Sequence, residues 1–286
     1  MALAERIAQA FRAACGAELD ALKPGNVHVW ADGHRMTVAQ FRRSADAAAG
    51  PLSATGERVG RRILGAVEAT FYAVGANTNL GIILLCAPLA AAAGSNPCRL
   101  QSTLAGVLDD LDIEDAGLAF RAIARASPAG LGRVAHNDVA EPARVTLRQA
   151  MAEAADRDAI ARQYANGYAD IYGRGLPALA TATERGWDQK TTVLAVYLDF
   201  LSAFPDSHIV RKYGAAVAAE VQRTATKFHD ALRSMRDPAH LDGDLMTWDA
   251  ELKARRINPG TSADLTVATL FAHLLATILP SARNSG

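Results

Sequence analysis

Apolar residues recur at helical spacing in run after run of this chain, and short Pro, Gly or Asn turns punctuate the runs. Leu3–Leu22 places Ile7, Phe11, Ala14 and Leu22 near one face and stops at Pro24-Gly25. Thr37–Ala49 ends at Gly50-Pro51, and Gly56–Val74 and Leu80–Ala93 follow with Asn77-Thr78-Asn79 between them. Ile113–Ala126 starts after the acidic run Asp109, Asp110 and Asp112 and ends before Ser127-Pro128. Leu147–Ala169, Leu176–Arg185, Gln189–Phe204, Ile209–Ser234, Asp244–Arg255 and Ser262–Leu279 complete the predicted helices, with Ser234–Asp244 as the longest loop. The best strand candidate is the short Val27–Trp30. Alanine dominates the small residues and only 6% of the chain is aromatic, which favours closely packed helices over sheet. No fixed-period repeat and no low-complexity linker divides residues 1–286, so the expectation is an all-α, single multi-helix domain.

Charge and cysteine use narrow the function. Lys+Arg and Asp+Glu number 30 each, so no global field draws the chain to nucleic acid or to a membrane surface. Cys15, Cys86 and Cys98 have no CxxC spacing and fit a reducing compartment, with Cys86 expected as a small core residue. The N-terminus reads as an amphipathic helix rather than a signal, and Leu80–Ala93 is shorter than the roughly 20 residues that span a bilayer. The expectation is a cytoplasmic protein, homo-oligomerisation being open.

Three polar turns feed apolar helices: KPGNVH at Lys23–His28, GANTNLG at Gly75–Gly81 and NPGTSADL at Asn258–Leu265. Asn, Thr and Ser at such places cap helices, and the same helix starts offer N–H groups to an anion. Either role suits any one turn. Three together predict a polar pocket built from helix ends, with Lys23, Asn77 and Asp264 around one cavity. Lys23, held extended before Pro24, is a candidate phosphate contact with Asn26 and His28 beside it, and His34 and Arg35 extend the positive region. Glu68 lies in the helix before Asn77, Thr78 and Asn79 and is a candidate Mg2+ ligand. His136-Asn137-Asp138 follows a Gly-rich turn. Asp206-Ser207-His208 opens a helix carrying Arg211 and Lys212, which serves equally as a helix cap or as part of a metal–phosphate site. GxxxxGK[ST], GxGxxG, HExxH and GxSxG are all missing, which removes the common kinases, dehydrogenases, metalloproteases and α/β-hydrolases.

KPGNVH, TVAQFRRSADA, VEATFYAVGANTNLG, YGRGLPALA, PDSHIVRKYG and INPGTSADLTVATLF, in this order, resemble the triphosphoribosyl-dephospho-CoA synthase family. The resemblance implies an all-α fold and transfer of the triphosphoribosyl unit of ATP to a hydroxyl of dephospho-CoA, with release of adenine. It points to Lys23, Asn26, Glu68, Asn77, Thr78, Asp206, Arg211 and Asp264, with Glu68, Asp206 and Asp264 as catalytic acids. His28, Asn79, Lys212 and Ser262 join as substrate contacts, and Glu68 and Asp206 as ligands of Mg2+. Where the family carries NTHKG, this chain reads Asn79-Leu80, without the lysine. That difference opens two alternatives: phosphoribosyl transfer in the biosynthesis of a methanopterin-like one-carbon carrier, or a nucleotide-binding protein that keeps the fold without turnover. The expected partners are a nucleotide or ribosyl phosphate donor and a small cofactor precursor.

Overall fold

The computed structural model describes residues 2–31, 36–126, 138–235 and 237–278. His34, Arg35, His136 and Asn137 lie outside them. Among the described residues the architecture is helical throughout, and Val27–Trp30 forms no strand, only an isolated bridge between His28 and Ala31. The all-α expectation holds. The described residues gather into two compact units, each assembled from separate stretches of chain.

Unit 1 comprises Met1–Ala14, Gln40–Tyr168 and Leu270–Gly286. Its centre is α4 (Leu80–Ser95), which is apolar on every side and buried from Leu80 through most of its length, Cys86 included. Pro88 stands inside it and lacks the N–H that would bond the Leu84 carbonyl. That carbonyl accepts instead from the hydroxyl of buried Tyr164 at 2.6 Å, and the Leu85 carbonyl accepts from Tyr168 at 2.8 Å. Helix α2 (Val38–Ser53) runs on past Gly50, since Pro51 sits inside its last turn. The buried guanidinium of Arg62 donates to Leu52 O at 2.7 Å and closes that helix end.

Helices α3 (Val59–Val74) and α6 (Ile113–Ala126) pack together. A Cβ on Gly60 would meet Asp115 Cα at 2.8 Å, so only glycine allows this approach. Asp115 accepts from Gly60 N at 2.7 Å and from two nitrogens of Arg58 at 3.1 Å each. The acidic start of α6 is therefore a clamp on α3. Between them in sequence lies a helix the periodicity did not show, α5 (Leu100–Asp109). The predicted Leu147–Ala169 helix divides into α7 (Leu147–Ala154) and α8 (Ala159–Asn166), because the Asp158 carboxylate caps a fresh start at Ile160 and Ala161.

Unit 2 comprises Cys15–Ala39 and Ala169–Thr269. Its core joins Leu22, Tyr197, Leu198, Leu201, Val221, Leu245, Trp248 and Leu252. Leu22 follows α1 (Leu3–Asp20), and the others come from α10 (Gln189–Ala203), α12 (Ala215–Ser234) and α13 (Asp242–Ala254), with α9 (Leu176–Glu184) against α10. The predicted Ile209–Ser234 helix is broken at Gly214, whose φ of 88° ends α11 (Ser207–Tyr213). The predicted Ser234–Asp244 loop contains a 3-10 turn at Pro238–Leu241, and α13 begins at Asp242. Helix α1 and helix α14 (Gly260–Ile278) each have residues in both units. Among the described residues no single helix is long and apolar enough to cross a membrane.

Candidate functional site

In unit 2 the KPGNVH and NPGTSADL turns come together. Asn26 Nδ2 donates to Asn258 Oδ1 at 2.9 Å, and a Cβ on Gly25 (φ 83°) would strike Pro259 at 2.8 Å. These are two of the three turns expected to share one pocket. Their side chains do not behave as predicted.

Lys23, expected to meet a phosphate, is fully buried: its ammonium lies 3.2 Å from Glu18 and donates to Val27 O at 2.8 Å. Burial pushes Lys23 down and Glu18 up, and their mutual attraction pulls both back. An ammonium with these partners in the core holds the turn rather than a ligand. His28 is equally enclosed, with Nε2 at 3.2 Å from Asp249 Oδ2 and 3.1 Å from Lys253 Nζ. Burial lowers its pKa, and its Nδ1 has no partner among the described residues. Asp249 accepts from Gly25 N at 2.8 Å and from Lys253 at 2.9 Å. Burial pushes Asp249 up, and the hydrogen bonds from His28, Lys253 and Gly25 outweigh it, leaving the carboxyl below its usual range. The Tyr197 hydroxyl donates to Pro24 O at 2.7 Å and closes the turn from the α10 side.

Asp206, expected as a metal ligand and catalytic acid, is buried with both oxygens occupied. Oδ1 accepts from His208 N at 2.9 Å and Ile209 N at 3.2 Å; Oδ2 accepts from Ser262 N and Ser262 Oγ, each at 2.8 Å. Burial raises its pKa, and these four bonds pull against that. The carboxylate is thus the cap of α11 and also the anion at the start of α14. Gly260 N bonds Asn258 O and Ala263 N bonds Pro259 O, so these first-turn N–H groups of α14 have partners within the protein. Ser262, expected as a substrate contact, is buried as a donor to Asp206. His208 and Arg211 are half-buried with Nδ1 and Nη2 3.5 Å apart, Lys212 is exposed beside the Tyr213 ring, and Asp264 is half-buried in the second turn of α14.

The Asn77-Thr78-Asn79 turn belongs to unit 1. Gly75 (φ 71°) ends α3, Asn77 Oδ1 caps Leu80 N at 3.2 Å, and the Thr78 hydroxyl donates to Ser44 Oγ at 2.6 Å. Asn79 is only 5% exposed, and its Nδ2 has no hydrogen-bond partner among the described residues. Leaving a buried amide donor unpaired costs about 1–3 kcal/mol, so such a group calls for an acceptor from a water or a ligand. Glu68 is exposed on α3 and lines a cleft against α6.

Of the predicted Mg2+ pair, Asp206 has both carboxylate oxygens engaged by four donors of the protein, and Glu68 stands exposed on α3. Among the described residues no group of three or more His, Cys, Asp or Glu side chains is placed to hold a metal.

The sequence pattern of the CitG family, ATP:dephospho-CoA triphosphoribosyl transferase, matches residues 4–282. The chain belongs to this family. The 2-(5''-triphosphoribosyl)-3'-dephosphocoenzyme-A synthase of Pectobacterium atrosepticum is 32% identical to the CitG-family chain over 105 residues, 37% of this chain and 33% of that protein. The match thus spans about a third of that relative. A crystal structure described as a "putative triphosphoribosyl-dephospho-coA synthase" from Archaeoglobus fulgidus superposes with a TM-score of 0.65 at 23% identity, covering 82% of this chain and 97% of that one. At that identity the likeness establishes the shared fold.

Several residues of the network were missed in the sequence: Glu18, Asp249, Lys253 and the pairing role of Asn258. Signals for three of them were present. Glu18 falls on the Ile7, Phe11, Ala14 stripe of α1, where an acid is out of place unless paired. Asp249 and Lys253 stand four apart on α13, an attractive spacing.

Proposed function

We propose that this chain transfers the triphosphoribosyl unit of ATP to dephospho-CoA with release of adenine. Family membership over residues 4–282 supports the reaction class. The observation that carries the reading to particular residues is the orphan Asn79 amide at the start of α4. A donor there suits a phosphate or ribose oxygen of the nucleotide, and the α4 start is positively polarised. In the reaction the C1′–N9 bond of ATP breaks as a C1′–O bond to the acceptor hydroxyl forms; the hydroxyl proton passes to a carboxylate and then to the departing adenine. Mg2+ enters as the counter-ion of the donor's polyphosphate, as part of the substrate.

The test is adenine release from ATP with dephospho-CoA as acceptor, followed by chromatography. Replacing Asn79 by Ala removes one charge-assisted hydrogen bond of about 1.5–3 kcal/mol, so kcat/KM for ATP should fall by roughly 10- to 150-fold. Unchanged kcat/KM in Asn79→Ala would remove the observation on which the reading stands.

A further inference from the structure

Unit 1 contains an open cleft of about 890 Å3 between α3, α6 and residues 139–143. That volume lies within the range of small-molecule sites. The cleft follows from the glycine pattern. Gly60 lets α3 and α6 touch at one end, where Arg58 and Asp115 lock them. Farther along, Gly117 lines the wall, and a Cβ there would meet nothing within 4 Å. Width at this point is set by a side chain that is absent.

Leu64, Ile113, Leu118 and Phe120 supply apolar walls, and Glu68 and Arg121 supply an acceptor and a donor. Neither Glu68 nor Arg121 makes a hydrogen bond or ion pair among the described residues. Three carboxylates (Glu68, Glu114, Glu141) face two guanidiniums (Arg61, Arg121), a balance that disfavours a polyphosphate. A flat, neutral heterocycle with an amino group and a ring nitrogen acceptor matches what remains. One turn beyond Glu68 on the same face of α3, Tyr72 stands 97% exposed, a ring available for stacking. Glu68 to Val74, where α3 ends before the Asn77–Asn79 turn, is about 9 Å along the axis. A nucleotide with its phosphates toward that turn has its base on the Glu68 side.

We propose that this cleft is the aminopurine subsite of the nucleotide donor, with Glu68 accepting from the exocyclic amine and Arg121 donating to a ring nitrogen. The choice of donor rests on the transferase reading; the choice of a base rests on the cleft alone.

Isothermal titration of the full chain with adenosine, and separately with inorganic triphosphate, tests it. In Gly117→Leu, which fills the cleft, adenosine binding should weaken at least tenfold while triphosphate binding stays within twofold. Arg121→Gln, which leaves the helix packing alone, should weaken adenosine about fivefold if Gly117→Leu fails to fold. Adenosine that does not bind the parent chain, or binds these variants equally well, overturns the subsite. Adenine release from ATP with an unchanged KM in both variants defeats the subsite and leaves the transferase reading standing. Cleft-dependent adenosine binding without adenine release from ATP does the reverse.

Discussion

The polar turns of unit 2 and the α3–α4 region of unit 1 look alike in sequence, yet the structure treats them in opposite ways. Around Lys23 and Asp206 the polar side chains are buried and held by partners from distant segments: Glu18, Asp249, Lys253 and Ser262. Around Asn79 and Glu68 the same kinds of residue lack such partners, one buried without an acceptor and the other open in a cleft. Residue type at a helix start does not distinguish scaffold from site. The distinction is whether the rest of the chain supplies the complementary group.

The sharpest way to break this comparison is to remove one member of the buried ion pair. Lys23→Met leaves Glu18 charged and unpaired in the core and should destabilise the protein by about 3–5 kcal/mol, read by chemical denaturation. Adding Glu18→Leu should restore most of the loss. If Lys23→Met costs nothing, the turn is not held as described.

Next in size is Asp206→Ala, which strips the cap of α11 and the anion of α14 together and should cost on the order of 3 kcal/mol. Asp206→Asn should cost less, since its amide oxygen still caps. Stability close to the parent in Asp206→Ala would return Asp206 to the list of candidate ligand groups.

That assignment shows how far the sequence was legible. Helix identity was readable because apolar spacing is local: α3, α4 and α6 stand close to where the periodicity put them. Helix breaks at Asp158 and Gly214 were hidden because both residues fit inside an amphipathic pattern until cap geometry and a positive φ are seen. Convergence of the Lys23 and Asn258 turns followed from their shared polarity. The inward direction of Lys23 did not, since it depends on Glu18 and on a Val27 carbonyl that local pattern does not orient.

Acid sharpens the comparison further. Burial lowers the folded pKa of His28, so at pH values around its ordinary range of about 6.5 the unfolded chain binds more protons than the folded one. Stability therefore falls as pH drops through that range, and Asp249, whose folded pKa is depressed, adds a second loss at lower pH. The melting temperature of the parent should drop more between pH 7.5 and 5.5 than that of His28→Gln. Equal drops would show that His28 is not the group being charged.

Smallest in stability, and largest in what it separates, is Glu68→Gln. An exposed residue without a partner should change stability by less than about 0.5 kcal/mol. Its effect belongs in the KM for ATP.

The most direct measurement pairs denaturation midpoint with adenine-release rate, per folded molecule, in two variants. The Lys23→Met, Glu18→Leu pair should recover most of the stability lost in Lys23→Met and retain turnover within a few-fold, and Asn79→Ala should keep its stability while losing kcat/KM by roughly 10- to 150-fold. Loss of turnover in the well-folded Lys23 pair, with full activity in Asn79→Ala, would contradict the account.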